Sequence, residues 1–269
     1  MIECLILGSA GWGSKIDKLT AFKMLDKFIA YGGRQIDGAT NYPINGIAKD
    51  FGLANRYLSE WISLNSGVDL NVFIKLGSIN NSGGPESDLS GKTMRQNADM
   101  LQQDFGLSLG GIGVHWDNRG IDQVEQMYET IQQMNRFYDN GFRIGMSGVR
   151  EANTYLQLAP NLQNVWEIQV KENVDDQTIR DNYMKVFPKA SYVVYGINSS
   201  KIESRTLKPG VLKREFQDEK QIASYDLYFL SIKKILECNE VKKVIVGPRT
   251  LEQLDSILVR MKSYNSDFV

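Results

Sequence analysis

Short apolar segments recur along the chain, and each is followed by an amphipathic stretch. Several of these segments are rich in β-branched residues and show no alternation of polar and apolar positions. That pattern is typical of strands buried on both faces of a parallel sheet. The eight segments cover 4–8 (CLILG), 34–37 (RQID), 71–76 (NVFIKL), 112–115 (IGVH), 142–147 (FRIGMS), 165–170 (VWEIQV), 191–196 (SYVVYG) and 242–247 (KKVIVG).

Helix candidates with apolar residues at helical spacing lie between these segments. Three of them end beside Gly32, Gly106 and Gly141, and glycine is suited to a helix C-terminus. Alternating strands and helices without a linker favour one (β/α)8 TIM barrel, with a doubly wound parallel sheet as the competing topology. The helix candidates cover 21–31, 93–105, 124–140, 225–236 and 250–262.

The composition is that of an ordinary globular protein, with 42% apolar and 23% charged residues in 269 and a formal net charge of −1. Barrels of this kind commonly use about 250 residues as one domain, so we expect residues 1–269 to form a single domain. The near-neutral charge argues against a nucleic-acid partner. The N-terminal segment resembles neither a signal peptide nor a membrane span. We therefore expect a cytoplasmic protein with no membrane partner.

The two cysteines, Cys4 and Cys238, lie far apart, with no CxxC motif and no neighbouring histidine. This arrangement argues against a disulfide framework and against a zinc site of Cys and His ligands. Reduced thiols, as in the cytosol, are the natural interpretation. We predict no metal site.

Ionisable side chains stand at the ends of three neighbouring strand candidates. Asp37 ends the second strand, Lys75 lies near the end of the third, and His115 ends the fourth and is the only histidine. Tyr42 follows Asp37 by one short loop. In a (β/α)8 barrel the catalytic groups lie at the C-terminal ends of the strands or in the loops after them. Core packing would not select these four groups, so we predict that they share one site.

Chemically, the four groups suggest a phenol that donates a proton. Asp37 and Lys75 on neighbouring strands would give each other's buried charge a partner. The ammonium is expected to lower the pKa of the Tyr42 phenol, which could then protonate a carbonyl oxygen as that oxygen gains charge. His115 could hydrogen-bond the same oxygen. No metal cluster or activated serine is indicated, so a cofactor must supply the missing reagent, a hydride.

Four segments resemble the aldo-keto reductase superfamily, in the expected order along nearly the whole chain. They are LGSAGWG (7–13), RQIDGATNY (34–42), FIKLG (73–77) and MRQNADMLQQDFGLSLGGIGVHW (94–116). The resemblance implies NADPH-dependent reduction of an aldehyde or ketone to the alcohol by hydride transfer, with Tyr42 as the general acid. The catalytic tetrad that it implies is Asp37, Tyr42, Lys75 and His115.

Other segments resemble the cofactor-binding positions of that superfamily. By this resemblance Ser147 and Gln169 contact the nicotinamide carboxamide, and Tyr195 stacks on the nicotinamide ring. Arg249 would pair with a 2′-phosphate through its planar fork, which favours NADPH and leaves NADH as the alternative. The remaining implied contacts are Gly247, Thr250 and Gln253 on the adenosine side, and Asn198, Ser199 and Ser200 at the pyrophosphate.

The chain departs from the superfamily pattern at several of these positions. Gly148 replaces an asparagine, and Lys171-Glu172 replaces a prolyl-tyrosyl pair. Ser256 and Ile257 replace the acidic residue and the asparagine that commonly hold the adenine ring. These departures support an alternative function, a nucleotide-binding regulatory or scaffold barrel with little or no turnover. A third hypothesis, an enzyme acting on a sugar or an activated sugar, rests on family analogy alone.

The expected substrate is a small carbonyl compound. Trp12 and Trp116 stand where they could line its pocket, although tryptophans at a barrel mouth also serve packing. The loop 77–92 is polar and rich in glycine, and the tail 263–269 is short. These features suggest an open pocket that admits a bulky or polar substrate.

Overall fold

The fold, obtained as a computed structural model, is described for residues 2–84, 86–173, 176–197 and 224–266. Its strands are β1 (Leu5–Gly8), β2 (Gln35–Ala39), β3 (Asn71–Leu76), β4 (Leu109–His115), β5 (Arg143–Ser147), β6 (Trp166–Lys171), β7 (Ser191–Tyr195) and β8 (Val241–Val246). They form a closed barrel in which each strand pairs in parallel with the next, and β8 pairs with β1. The predicted (β/α)8 barrel is confirmed and the doubly wound sheet is excluded.

Helices follow the strands around the outside of the barrel. They are α1 (Lys18–Ala30), α2 (Leu53–Leu64), α3 (Gly91–Phe105), α4 (Val124–Asp139), α5 (Ala152–Leu158), α6 (Leu162–Val165), α7 (Thr178–Val186), α8 (Ser224–Leu236) and α9 (Leu251–Ser266). The five helix candidates of the sequence correspond to α1, α3, α4, α8 and α9. The other four went unpredicted. For α2 the signal was present in the buried face of Ala54, Leu58 and Trp61, whereas α5 and α6 are too short to display a period.

The ends of α1 illustrate how local sequence sets the helix boundaries. The Asp17 carboxylate accepts a hydrogen bond of 2.8 Å from the Thr20 backbone N–H, which satisfies a donor that the helix itself leaves unpaired. After the last turn, Gly32 adopts the left-handed region at φ +94°. Gly141 does the same after α4, at φ +90°. Both glycines serve as the helix stops that the sequence predicted.

The interior of the barrel is filled by side chains at mid-height. The Phe73 ring occupies space opposite two glycines of β4, where a Cβ on Gly111 or Gly113 would lie 2.5 Å or 2.7 Å from the ring. Ile6, Val193 and Ile245 form a further apolar cluster in the barrel. The barrel is thus a packed core rather than a pore.

Within the described residues, no helix has the length and apolar character needed to cross a membrane. The same part of the chain contains no group of three or more histidine, cysteine or carboxylate side chains placed to hold a metal ion.

Candidate active site

A cavity of about 430 Å³ opens at the C-terminal ends of the strands, the end at which catalytic residues were predicted. Asp37 on β2, Lys75 on β3 and His115 at the end of β4 all line it, and each is at most 3% exposed. Tyr42 reaches the same cavity from the loop after β2. The structure therefore brings together the four side chains that the sequence placed in one site.

Asp37 and Lys75 form a buried ion pair through Asp37 Oδ1 and Lys75 Nζ. Burial acts to lower the pKa of Lys75, but the Asp37 carboxylate and the neighbouring Tyr42 together outweigh it, and the pKa is raised above its ordinary value. The lysine consequently stays protonated at neutral pH. Because both groups are removed from water, neither charge would be tolerated without the other.

Gln169, on β6, joins this pair from across the barrel. Its Nε2 donates to Asp37 Oδ2 at 2.9 Å, and its Oε1 accepts from Lys75 Nζ at 3.2 Å. One amide thus bridges the anion and the cation. Sequence reasoning assigned Gln169 to the cofactor alone and missed this contact. The available signal was its inward-facing position on a strand opposite Asp37.

Below Gln169 the hydrogen bonds continue toward the other end of the barrel. Gln169 Nε2 also donates to Glu167 Oε1 at 3.3 Å, and the second oxygen of Glu167 accepts from Arg143 at 3.0 Å. With carboxylates on the nitrogen side and an ammonium on the oxygen side, only one orientation of the amide satisfies every neighbour. The orientation of Gln169 is therefore fixed by charge on both sides.

Tyr42 is 9% exposed, with Lys75 Nζ 5.4 Å from the centre of its ring. The sequence predicted that the ammonium would lower the pKa of the phenol. Burial instead raises the pKa of Tyr42 above its ordinary value, and the opposing effect of Lys75 only partly offsets that rise. The Lys75 charge acts in the predicted direction, but the net direction is the opposite, because desolvation of the phenolate outweighs attraction to the neighbouring charge. The phenol is protonated at neutral pH.

His115 stands edge-on to Tyr42, with ring centres 5.8 Å apart and planes at 87°. Burial, reinforced by the Lys75 charge, holds the pKa of His115 well below its ordinary value, so the imidazole is neutral. Its Nδ1 is buried without a hydrogen-bond partner among the described residues. A neutral imidazole beside a protonated phenol can supply a hydrogen-bond donor without placing a second cation next to Lys75.

Trp116 follows His115 and adopts φ 55°, a left-handed conformation uncommon for a bulky residue. Its indole stacks on the His115 ring at a centre-to-centre distance of 4.5 Å and lines the cavity, as predicted for a pocket residue. A Cβ on Gly148 would lie 2.7 Å from Trp116 Cδ1. The glycine that replaces the family asparagine therefore makes room for this indole.

Trp12, the other predicted pocket residue, is fully buried and does not line the cavity. It belongs to the apolar core, and its indole nitrogen has no hydrogen-bond partner among the described residues. The sequence could not separate the two tryptophans, because both follow strand candidates. Only the path of the loops distinguishes a wall of the cavity from a core residue.

Several predicted cofactor contacts lie on the same cavity. Ser147, Tyr195, Gly247 and Arg249 line it, at the ends of β5, β7 and β8. Thr250 and Gln253 do not line it. Gln253 Oε1 accepts from the Arg249 backbone N–H at 2.6 Å, and Thr250 Oγ1 accepts from the Gln253 backbone N–H at 3.2 Å. These two side chains hold the turn that leads into α9 and places Arg249.

The remaining positions that the resemblance assigned to the cofactor either serve the structure of the protein or lie outside the described residues. Ile257 is buried in the apolar core, so the position at which the family carries an adenine-binding asparagine is used here for packing. The Ser256 hydroxyl accepts a hydrogen bond from Arg260. Asn198, Ser199 and Ser200, the predicted pyrophosphate contacts, lie outside the described residues.

The second departure from the family pattern, Glu172, is a buried structural carboxylate. Arg180 of α7 donates to Glu172 Oε1 at 2.8 Å, while Oε2 has no hydrogen-bond partner among the described residues. Burial raises the pKa of Glu172 to about 7 despite the neighbouring guanidinium. Glu172 does not line the cavity, so the chain uses this position to attach α7 to the barrel.

The cavity suits an anionic, flat ligand that reaches across the barrel mouth. Besides Lys75, its described lining includes the cations Lys15 and Arg249, against one carboxylate, Asp37. A Cβ on Gly247 would meet no atom within 4 Å, so the end of β8 faces open space. Positive charge, an open strand end and an aromatic ring at Tyr195 fit a nicotinamide dinucleotide.

Comparison with known proteins agrees with this geometry. Residues 4–170 match the model of the Aldo/keto reductase family. Two structures of candidate aldo-keto reductases from Pseudomonas aeruginosa resemble the chain in fold. The first is 16% identical in sequence, and the match covers 97% of this chain and 91% of the other, with a TM-score of 0.65. The second is 15% identical, and the match covers 97% of this chain and 90% of the other, with a TM-score of 0.65. No curated protein matches the sequence.

Proposed function

The chain belongs to the aldo/keto reductase family, and on that premise we propose that it is an NADPH-dependent oxidoreductase that reduces an aldehyde or ketone to the alcohol. The observation that carries the proposal is the convergence of a protonated Tyr42, a neutral His115 and the Asp37–Lys75 ion pair on one cavity. A hydride acceptor that becomes an alkoxide needs a proton donor and a hydrogen-bond donor at its oxygen, and this cavity offers both.

We propose that Tyr42 is the general acid. When bound, the nicotinamide supplies the hydride that reduces the carbonyl carbon. Tyr42 transfers its proton to the carbonyl oxygen as negative charge develops there, which leaves a phenolate on the protein. The ammonium of Lys75, 5.4 Å from the Tyr42 ring centre, stabilises that phenolate. One hydride and one proton are added to the C=O group, and the product is the alcohol.

In this proposal His115 orients the substrate. Its low pKa keeps the imidazole neutral, and with Nδ1 buried we assign the proton to Nε2. An Nε2–H directed at the carbonyl oxygen would hold that oxygen beside the Tyr42 hydroxyl. Trp116, stacked on His115, keeps the ring in place and forms the adjacent wall for the substrate.

The cofactor assignments are part of the same proposal. Ser147 and Gln169 would contact the carboxamide, and Tyr195 would stack on the nicotinamide ring. Gln169 Oε1 has a second lone pair beside the one that Lys75 uses, so it can accept a further hydrogen bond. Arg249 would bind the 2′-phosphate and favour NADPH over NADH. Gly247, Thr250 and Gln253 would form the surrounding adenosine site.

Two broader assignments accompany the proposal. We propose that residues 1–269 act as one domain, because the strands that carry Asp37, Lys75 and His115 are part of a single closed barrel of eight strands. A cytoplasmic location would match the supply of NADPH and reduced thiols.

The test is oxidation of NADPH, followed by its absorbance, with purified protein and a panel of aldehydes, ketones and sugars. Turnover is expected, with a loss of at least about a hundredfold in kcat for Tyr42→Phe. Tyr57→Phe, on α2 away from the cavity, is the matched control and should retain activity. A parallel titration of NADPH and NADH by fluorescence separates the alternatives, since tight binding without turnover would indicate a regulatory or scaffold barrel instead.

A further inference from the structure

A second cavity, of about 740 Å³, opens at the opposite end of the barrel from the candidate active site. Its walls are the N-terminal ends of β5 to β8, the C-terminal end of α4 and the segment 163–165. No described residue lines both cavities. In (β/α)8 barrels the chemistry is confined to the C-terminal end, so the proposed reduction does not account for this space.

The charges around this second cavity are unbalanced. Its described lining carries the cations Arg143, Lys242 and Lys243, and the carboxylates Asp139 and Glu167. Glu167 is already committed, because one oxygen binds Arg143 at 3.0 Å and the other accepts from Gln169 at 3.3 Å. With Asp139 offsetting one further charge, the excess positive charge of the lining lies on the two lysines of β8, Lys242 and Lys243.

Lys243 is the central group of the site. It is half-buried, and its Nζ donates to the neutral Gln35 Oε1 at 2.7 Å. Among the described residues it makes no ion pair. Burial, together with the nearby Arg143 charge, lowers the pKa of Lys243. The Glu167 charge acts in the opposite direction but does not offset the lowering of the pKa. A half-buried ammonium next to a second cation, hydrogen-bonded to an amide and in no ion pair among the described residues, would be stabilised by an anion in the cavity.

The other walls of this second cavity provide aromatic surface and uncharged hydrogen-bonding groups. Phe142 and Tyr138 provide aromatic surface, whereas Gln163, Asn164 and Ser191 provide uncharged hydrogen-bonding groups. Lys242, beside Lys243, donates to the Asn239 backbone oxygen at 2.6 Å and retains two further N–H donors. A cavity with a few polar groups and an apolar wall is the usual form of a small-molecule site.

We propose that this cavity is a second binding site, which takes a small organic anion. Its carboxylate or phosphate group would contact Lys243 and Lys242, and its apolar body would pack on Phe142. Contact with Arg143 would be additional, because that guanidinium already binds Glu167 and donates to Asn71 Oδ1 at 2.5 Å. The proposal does not depend on the reductase activity of the other end of the barrel.

The experiment is isothermal titration calorimetry of the full chain with two probes, inorganic phosphate and benzoate, at constant ionic strength. Each probe distinguishes one source of the anion, a phosphate group or an aromatic carboxylate. We expect saturable binding of at least one of them, and a weakening of about tenfold in Lys243→Gln. Lys92→Gln, an exposed lysine on α3, is the matched control and should bind as the wild type does.

Two results would overturn the proposal. One is the absence of saturable heat with both probes; the other is equal affinity in wild type, Lys243→Gln and Lys242→Gln, which would place the anion elsewhere. If Lys243→Gln does not fold, Lys242→Gln alone decides, because that lysine is exposed. Arg249→Gln tests for binding at the active-site end, and a loss of anion affinity in that variant would also contradict the proposal.

Discussion

Gln169 Nε2 lies 2.9 Å from Asp37 Oδ2, a contact between residues 132 positions apart in the sequence. The same side chain accepts from Lys75, so the ion pair that supports Tyr42 has a third member. In the proposed reaction Gln169 would hold Lys75 at the distance at which its charge stabilises the Tyr42 phenolate. Its role would extend beyond contact with the cofactor.

Gln169→Leu tests this wider role, because it nearly keeps the volume of the side chain and removes its hydrogen bonds to Asp37, Lys75 and Glu167. We expect kcat to fall about tenfold, since a lost hydrogen bond to a charged group is worth roughly 1.5–3 kcal/mol. Steady-state kinetics measure kcat, and fluorescence titration measures the Kd of NADPH. If Gln169 served the cofactor alone, only the Kd would rise while kcat at saturating NADPH stayed unchanged.

His115 should not introduce a pH dependence near its ordinary pKa. Since burial keeps its pKa well below about 6.5, the imidazole stays neutral, and we expect a flat kcat between about pH 6 and 8. The free energy of unfolding, in contrast, should depend on pH through His115. The unfolded chain binds a proton that the folded chain excludes, so this contribution is present above about pH 6.5 and is lost as the pH falls.

The His115 prediction is checked with pH profiles of kcat and of the free energy of unfolding, for wild type and His115→Gln. The stability difference between the two proteins should become less favourable to the wild type as the pH falls below about 6.5. An inflection of kcat near that pH, absent in the variant, would show that the folded imidazole titrates there and would contradict the prediction.

Gly148→Asn restores the residue that the family carries and should destabilise this protein. The new Cβ would lie 2.7 Å from Trp116 Cδ1, so the indole must move, at a cost of about 1–3 kcal/mol. Chemical denaturation measures the loss. Gly32→Asn is the matched control, because Gly32 also has a positive φ but no atom within 4 Å of its Cβ position. Gly32→Asn measures the cost of placing asparagine at a positive φ without a steric clash. That cost is expected to be small, because asparagine adopts the left-handed region more readily than most residues.

The clash in Gly148→Asn should disappear when the indole is removed. In Trp116→Ala the added asparagine should cost less than in the wild-type background, a non-additive result measured by a double-mutant cycle. Strict additivity of the two substitutions would mean that they do not share the same space.

Glu172→Gln should remove a pH dependence of stability whose sign is opposite to that of the His115 contribution. Burial raises the pKa of Glu172 to about 7, above its unfolded value, so its contribution to stability is present at low pH and is lost as the pH rises through about 7. Relative to wild type, the variant should gain on the order of 1–3 kcal/mol of unfolding free energy between about pH 5 and 8. Urea denaturation across that range measures it, and a constant difference would show that the carboxylate is ionised throughout.

The fold could be predicted from the sequence because the strands are buried on both faces. That burial produces continuous apolar segments, such as 71–76, which helices with one apolar face do not share. The strand order around the barrel followed from the alternation of strands and helices, with β8 closing on β1. The short helices α5 and α6 could not be predicted, because seven and four residues carry too little pattern.

Sequence position alone also grouped Asp37, Tyr42, Lys75 and His115, because the C-terminal ends of neighbouring parallel strands must meet. Barrel closure decided the rest. It brought Gln169 onto the ion pair, buried Trp12 while leaving Trp116 on the cavity, and raised rather than lowered the pKa of Tyr42. The physical reason is that desolvation and contacts across the barrel depend on distances between strands far apart in sequence, which no local pattern records.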